Sequence, residues 1–245
     1  MRTYRLNRTW ADPRMQRLAE WTATMMGASE STAALIGCSA EAVVAQAALE
    51  SGWGSAAIGH NIFGIKAGSD WRGPKQLVWT REVFDGKAVM IQAWFRDYAS
   101  YGDSIADHFD FLMRYKNYAA AGVFDPNNTK SDIEYFEALK RAGYATDPHY
   151  VDSLTNMLKS VMGFTRYMTP SDGPPPAPPP RLLMVGCAGP DVDALQASLK
   201  VAGENGFGSK TRDAVVAFQR DHKLGVDGIV GNQTRAALQA VQGAS

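Results

Sequence analysis

The sequence predicts a mainly α-helical protein of the α+β class, with a small β-hairpin lobe and a second, smaller three-helix domain. The first observation is a proline-rich stretch, TPSDGPPPAPPP at 169–180, which is typical of an extended spacer. The second is composition, since all six Trp and all nine Tyr precede that stretch. The third is periodicity, because helical apolar spacing recurs on both sides of it. We therefore expect a first domain at 1–169, a linker at 170–180 and a second domain at 181–245.

Capping residues and one turn signal define the elements of the first domain. Ser39 precedes an apolar run as a helix cap, and Asp147 precedes a proline that suits a first helical turn. Ser131 and Glu134 have the spacing of a capping box. An Asp-Gly pair at 85–86 separates two alternating segments and is typical of a type I′ turn. The predicted helices are 13–27, 40–51, 104–115, 131–142 and 148–162, and the predicted strands are 76–84 and 87–96.

A half-repeat marks the second domain. Thr-Arg pairs at 211–212 and 234–235 each follow a glycine and open an apolar helical segment. Together with an apolar segment at 192–199, they predict a three-helix unit. Its length of roughly 60 residues is sufficient for independent folding.

Charge and hydropathy exclude several classes of function. Basic and acidic residues balance at 25 each, which does not support non-specific nucleic-acid binding. No apolar run reaches the ~18 residues of a membrane helix. The first residues lack the apolar core of a signal peptide, so we expect synthesis in the cytoplasm without a Sec signal. Five arginines within the first 17 residues indicate a solvated arm in preference to a contact with an anionic envelope.

Metal and cofactor chemistry has no motif here. The four histidines show no HExxH or other compact ligand spacing, and the two cysteines are far apart without a CxxC. We therefore expect no metal and no cofactor. Cys38 is predicted to be a packed thiol and not a nucleophile.

Two glutamates suit acid-base chemistry. Glu50 ends an apolar helix, where the helix dipole and the neighbouring Trp53 favour its protonated form. Glu82 lies on the first hairpin strand. Either residue alone is more often a solvated surface group. As a pair on separate lobes, they match the two carboxylates that glycoside hydrolysis requires.

Four ordered blocks resemble glycoside hydrolase family 73, the N-acetylglucosaminidases typified by flagellar rod-assembly enzymes. The blocks are AQAALESGWG at 45–54, NIFGIK at 61–66, the hairpin region at 73–101 and AGYATDPHY at 142–150. The resemblance covers about 13–164 and implies a lysozyme-like fold. It also implies cleavage of the β-1,4 bond after N-acetylglucosamine in peptidoglycan.

The resemblance assigns roles to three residues. Glu50 matches the proton donor, and Glu82 aligns with the second carboxylate. Tyr144 matches the active-site tyrosine, which holds the acetamido group, positions water or packs after the helix stop at Gly143. Aromatic rings and amides also suit sugar binding, although most such residues are core. The candidate sugar-binding residues are Trp53, Asn61, Phe63, Trp71, Tyr118 and Tyr150.

The segment at 191–234 is similar to the three-helix peptidoglycan-binding domain of many wall hydrolases. Its aromatic residues are expected in the core, so wall contacts fall to polar side chains. The candidates are Asn205, Thr211, Arg212 and Asp227.

The leading hypothesis is therefore a monomeric, modular endo-β-N-acetylglucosaminidase that acts on peptidoglycan. Without an export signal, we expect a bacteriolytic phage endolysin that reaches the cell wall in the periplasm after release, with a virion-associated or secretion-system effector enzyme as the second setting. Three alternatives stay open: a muramidase, a lytic transglycosylase and a non-catalytic wall-binding or assembly protein.

Overall fold

The computed structural model describes residues 2–69, 71–84, 87–125, 130–171, 182–202 and 204–243. These residues are mainly helical with two small antiparallel sheets, which confirms the predicted class. The helices are α1 (Pro13–Ile36), α2 (Ala40–Ser51), α3 (Tyr101–Met113), α4 (Lys116–Ala120), α5 (Asp132–Arg141), α6 (Tyr150–Thr165), α7 (Pro190–Ser198), α8 (Ser209–Asp221) and α9 (Asn232–Gly243). The strands are β1 (Tyr4–Leu6), β2 (Lys75–Phe84), β3 (Lys87–Arg96) and β4 (Met168–Pro170).

The chain divides into two compact units, each assembled from separate segments. The first contains Met1–Glu30, Ala40–Phe109 and His149–Pro175, and the second contains Ser31–Ser39, Asp110–Pro148 and Pro176–Ser245. Most of the predicted linker at 170–180 lies outside the described residues. The predicted domain boundaries therefore stay a prediction.

Helix α2 forms the centre of the first unit. Every residue from Ala42 to Ala48 is buried with 0% exposure, and six of these seven are alanine or valine, so that the helix is apolar on all sides. The seventh residue is Gln46. Small side chains allow α6 to approach closely, with Leu154 and Val161 fully buried. A helix that is apolar all round is stable only inside a core, so its position is fixed by burial.

Strands β2 and β3 confirm the predicted hairpin, and their register runs from Lys75 opposite Arg96 to Phe84 opposite Lys87. The turn residues Asp85 and Gly86 lie outside the described residues, so the turn type stays a prediction. The alternation of strands places Leu77 and Trp94 on one face and Glu82 on the other.

The N-terminal arm differs from the solvated segment that was expected. Strand β1 pairs with β4, with Tyr4 opposite Pro170. The hydroxyl group of Tyr4 donates to Glu30, and the guanidinium group of Arg2 lies 3.4 Å from the same carboxylate. Periodicity could not predict this pairing, because each strand has only three residues and the two strands lie far apart in the chain.

The predicted end of the first helix was wrong. Helix α1 continues through Gly27 to Ile36, because burial of Ala28, Ala33 and Ile36 outweighs the cost of about 1 kcal/mol for a mid-helix glycine. Gly37 then ends the helix with φ of 78°, where a Cβ atom would lie 2.3 Å from the carbonyl oxygen of Asp125.

Helix α6 begins at Tyr150, two residues after the predicted start at Pro148. Its N-cap is His149 and not Asp147, and the His149 side chain makes no capping hydrogen bond. Helix starts without a side-chain cap leave only a weak signal in a sequence.

Helix α5 of the second unit has the predicted capping box. The Glu134 backbone N–H donates to Ser131 Oγ, and the Ser131 backbone N–H donates to the Glu134 carboxylate over 2.7 Å. The helix buries Tyr135, Phe136 and Leu139 completely.

Helices α7, α8 and α9 confirm the predicted three-helix segment. Its core contains Leu183, Cys187, Val192, Phe207 and Val215 among others. The buried side chain of Gln219 donates to the carbonyl group of Ile229 and to the carboxylate of Asp227. This amide connects α8 to the turn that precedes α9.

Among the described residues, no single helix combines the length and hydropathy needed to cross a bilayer. Helices α1 and α2 meet the criterion only as a pair, and that pair is bent by 115°.

Removal of the capping box should destabilise the fold measurably. For Ser131→Ala, we expect a loss of about 1 kcal/mol in the free energy of unfolding, because one helix N–H loses its acceptor. Urea unfolding monitored by circular dichroism measures this free energy. Ser160→Ala on the exposed surface of α6 is the matched control, and an equal change in both variants would contradict the assignment.

Candidate active site

Glu50 occupies the last turn of α2 and is exposed to solvent. The hydroxyl group of Tyr150, at the start of α6, donates a hydrogen bond to Glu50 Oε1 over 2.9 Å. The packing of α2 against α6 brings these residues together, although they are 100 positions apart. Sequence analysis did not find this contact.

Partial burial of the carboxyl group raises the pKa of Glu50, and the hydrogen bond from Tyr150 opposes that rise. Burial is the larger cause, even though other atoms of Glu50 are exposed. A carboxyl group with a raised pKa keeps its proton to higher pH and suits a general acid.

The chain directly after Glu50 turns sharply through left-handed backbone conformations. Gly52, Trp53 and Gly54 have φ angles of 56°, 59° and 81°. A Cβ atom at Gly54 would lie 2.5 Å from the indole nitrogen of Trp21, so the third position requires glycine. A tryptophan with positive φ costs on the order of 1 kcal/mol and is characteristic of functional sites.

Trp53 belongs to an aromatic cluster at this turn. Its ring contacts Trp21 edge-on at a centroid distance of 5.5 Å and Phe164 at 5.9 Å. Trp53 is half-buried and follows Glu50 closely in the chain. Its role in sugar binding stays a prediction.

Glu82 lies on β2, where its carboxylate accepts a hydrogen bond from Lys66 Nζ over 2.6 Å. The Thr80 hydroxyl group lies at 3.4 Å from the same oxygen. The hydrogen bond from Lys66 is the largest cause of a pKa of Glu82 below the usual range. Glu82 is therefore ionised at neutral pH. The two glutamates have pKa shifts in opposite directions, as an acid and a carboxylate require.

Asn61 is a correction to the predicted sugar-binding set. Its side chain has no solvent exposure, and both ends of its amide are used within the protein. The amide nitrogen donates to the carbonyl groups of Ile65 and Arg96, and the amide oxygen accepts from the Ile65 N–H. Asn61 therefore connects the 61–65 loop to β3 and is inaccessible to a sugar.

Phe63 and Trp71 are half-buried residues with aromatic or cationic neighbours. Phe63 stacks on His108 at a centroid distance of 3.7 Å, and burial lowers the pKa of His108 to about 3. The guanidinium group of Arg96 lies 4.5 Å from the Trp71 ring centroid. Both candidates stay predicted sugar contacts.

Tyr150 is a second correction. Only 6% of its surface is exposed, and its hydroxyl group binds Glu50. The structure therefore places the Tyr150 hydroxyl group on the Glu50 carboxylate and leaves its ring without a surface for sugar stacking.

Tyr118 and Tyr144 are neighbours in the second unit. Their rings meet edge-on at 6.4 Å, and both residues are half-buried. The Asn117 side chain donates to the Ala142 carbonyl group over 2.7 Å and holds the two segments together. The sequence separated these tyrosines by 26 positions, and the fold pairs them. Their contacts with substrate stay predictions.

Two predicted wall-binding residues have structural roles. Thr211 is completely buried, and its hydroxyl group donates to Glu204 over 2.6 Å. Half-buried Asp227 accepts hydrogen bonds from the Ile229 N–H and the Gln219 side chain, and burial raises its pKa. Asn205 and Arg212 are exposed and stay candidates.

Glu204 is a structural residue that sequence analysis missed. Its carboxylate accepts from the backbone N–H groups of Lys210 and Thr211 at the start of α8. The hydrogen bond from the Thr211 hydroxyl group is the largest cause that lowers the pKa of Glu204 to about 2, and these backbone bonds add to it. A glutamate five residues before a helix has no standard capping spacing, so no motif could find it.

Within the described ranges, no three His, Cys, Asp or Glu side chains cluster as metal ligands. Burial raises the pKa of the Cys38 thiol, which keeps it protonated and unreactive.

Two family models match the chain. The glucosaminidase model, described as mannosyl-glycoprotein endo-beta-N-acetylglucosaminidase, matches residues 28–162. A model described as a putative peptidoglycan binding domain matches residues 188–238. The order of the two matches confirms the predicted order of the modules.

Curated relatives resemble the first module. The chain is 40% identical over 126 residues to the peptidoglycan hydrolase FlgJ of Escherichia coli K12, a match that covers 49% of this chain and 39% of that protein. It is 35% identical over 122 residues to the exo-glucosaminidase LytG of Bacillus subtilis, covering 47% and 42%. The chain thus spans about two fifths of the length of these relatives.

Solved structures share the fold. The glycoside hydrolase domain of Salmonella typhimurium FlgJ, in a C-terminally truncated form, has a TM-score of 0.50 at 33% identity and covers 60% of this chain and 98% of that one. The catalytic domain of the Listeria monocytogenes autolysin Auto has a TM-score of 0.50 at 25% identity, with 65% and 90% covered. These neighbours confirm the lysozyme-like fold.

Substitution of Tyr150 should change the protonation of Glu50. In Tyr150→Phe the carboxylate loses its hydrogen bond, so the pKa of Glu50 should rise further. Titration of carbon-13-labelled glutamate side chains by NMR measures the change. Tyr167→Phe, in the same unit, serves as the control, and an unchanged or lowered pKa of Glu50 in Tyr150→Phe would refute the positioning role.

Proposed function

Because the chain belongs to the glucosaminidase family, we propose that it is a peptidoglycan hydrolase that cleaves the β-1,4 bond after N-acetylglucosamine. The observation that carries this proposal is the pair of glutamates with opposite pKa shifts. The shift at Glu50 favours its protonated form, and the shift at Glu82 favours its charged form. Glycosidases require this combination of an acid and a carboxylate.

In the proposed reaction, Glu50 donates its proton to the glycosidic oxygen as the bond to the anomeric carbon breaks. Glu82 stabilises the developing positive charge of the sugar or activates the incoming water. Water supplies a hydroxyl group to the anomeric carbon, and its proton restores the acid.

Ionised Glu82 also favours hydrolysis over the lytic transglycosylase reaction. In a transglycosylase, the muramic acid hydroxyl group attacks internally and no second carboxylate is needed. Here Lys66 keeps a second carboxylate charged on the hairpin. A muramidase would share this chemistry and differ in the bond that it cleaves.

The second module supports action on a polymer. A domain that matches the peptidoglycan-binding model follows the catalytic module in the same chain. Binding of the wall by one module raises the effective concentration of the other at its substrate. We propose that the protein acts in this way as a phage endolysin, and addition to cells with a permeabilised outer membrane tests whether it is bacteriolytic.

Loss of the acid should abolish hydrolysis. We expect Glu50→Gln to lower the rate by at least about a hundredfold, because the amide cannot donate the proton. Mass spectrometry of digested sacculi after borohydride reduction measures the products, which should carry reducing-end N-acetylglucosamine. Glu41→Gln, in the first turn of the same helix, is the control. Reducing-end muramic acid or anhydro-muramic acid in the products would overturn the bond assignment.

The pH profile should be bell-shaped. Activity falls as pH rises through the raised pKa of Glu50, which must be protonated, and as pH falls through the lowered pKa of Glu82, which must be ionised. In Lys66→Met, Glu82 loses its cation, so the acidic limb should move to higher pH. Lys87→Met at the hairpin end should leave that limb in place. A profile that does not move in Lys66→Met would count against Glu82 as the carboxylate.

A further inference from the structure

One face of the β2–β3 hairpin exposes large apolar side chains. Their exposed fractions are 45% for Leu77, 62% for Trp79, 55% for Met90 and 45% for Trp94. The register places all four on the same face, with Leu77 opposite Trp94, Trp79 opposite Gln92 and Arg81 opposite Met90. We call these four residues, together with Arg81 and Gln92 among them, the tryptophan face. Soluble proteins rarely expose such a cluster unless it binds something.

The tryptophan face is separate from the candidate active site. Glu82 and its neighbour Thr80 alternate with Trp79 and Arg81 along β2, so their side chains lie on the opposite face. There, Glu82 pairs with Lys66 and is partly covered, with 27% of its side chain exposed. One sheet thus presents a catalytic carboxylate on one face and two tryptophans on the other.

The chemistry of this face fits a saccharide. Indole rings offer flat apolar surfaces to the C–H faces of pyranose rings, and the exposed Gln92 amide offers hydrogen bonds to hydroxyl or acetamido groups. Trp79 and Trp94 are diagonal neighbours on adjacent strands, a spacing of about 7–8 Å. Two rings at that spacing can contact successive parts of one chain of sugars.

Charge further restricts the ligand. Arg81 and Lys75 are exposed on this face, and Lys75 Nζ lies 4.8 Å from the Trp94 ring centroid. Among the described residues of the two strands, the residues on this face include no carboxylate. The face is therefore complementary to an anionic polymer, and the stem peptides of peptidoglycan supply carboxylates.

The arrangement suits a glycan better than a lipid bilayer. A membrane-inserting surface presents a continuous apolar stretch. Here Gln92 lies between Met90 and Trp94 along β3, and Arg81 follows Trp79 along β2. Polar groups within the apolar cluster suit a ligand that alternates apolar and polar groups.

We propose that the tryptophan face binds a second, carboxylate-bearing glycan strand of the polymeric substrate while another strand is cleaved on the Glu82 side. This inference rests on the proposed function, because it assigns the ligand of the hairpin from that substrate. It predicts that the tryptophan face contributes to action on a wall meshwork but not to cleavage of a short soluble chain.

The test compares the full-length protein with the double variant Trp79→Ala/Trp94→Ala on two substrates. With insoluble sacculi at limiting concentration, we expect the affinity measured by cosedimentation and the rate of solubilisation to fall about tenfold in the double variant. With a soluble peptidoglycan tetrasaccharide, turnover should be unchanged. The conservative variant Trp79→Tyr/Trp94→Tyr should recover most of the binding, and Met15→Ala, an exposed apolar residue elsewhere, is the control.

The inference would be overturned if the double variant and the parent acted equally on sacculi, or if the double variant lost activity equally on both substrates. It would be overturned as well if the double variant lost binding only to vesicles of phosphatidylethanolamine and phosphatidylglycerol. A dimer that dissociates in the double variant, seen by sedimentation velocity, would also overturn it. Failure of the proposed function is distinguishable, because an inactive parent protein still reports hairpin binding by cosedimentation.

Discussion

The close packing of α2 against α6 is the constraint on which the candidate site depends. Residues Ala42 to Ala48 are all buried, and their small side chains leave room for the apolar face of α6. That packing sets the direction in which α2 ends and places Glu50 beside the hydroxyl group of Tyr150. The carboxyl group is therefore held by a rigid core, as the role proposed for Glu50 requires. A larger residue in α2 would displace Glu50 because the interior has no room to adapt.

Electrostatics then differentiates two chemically identical side chains. Glu50 ends a buried helix, where the loss of water around its carboxyl group outweighs one hydrogen bond. Glu82 lies on a more open strand, where Lys66 stabilises its negative charge. Desolvation favours the neutral form of a carboxyl group and a nearby cation favours the charged form, so the surroundings shift the two pKa values in the directions that the proposed roles require.

The hairpin that carries Glu82 is anchored at its base. Arg96 is buried and forms a 2.7 Å ion pair with Asp107 of α3, and the Tyr98 hydroxyl group donates to the same carboxylate. Asn61 connects the preceding loop to the Arg96 carbonyl group. Beyond this base, the two strands extend with both faces partly open. A hairpin of this kind can present different chemistry on its two faces, because successive side chains point in opposite directions.

The sequence by itself determined the helical class, the two strands of the hairpin, the capping box of α5 and the family blocks around Glu50 and Glu82, because these signals are local in the chain. Only the tertiary structure decided which polar residues face solvent. It buried Asn61 and Thr211 among backbone groups and placed the Tyr150 hydroxyl group on Glu50. Such contacts depend on packing between segments far apart in the chain, so the pattern of neighbouring residues carries no record of them.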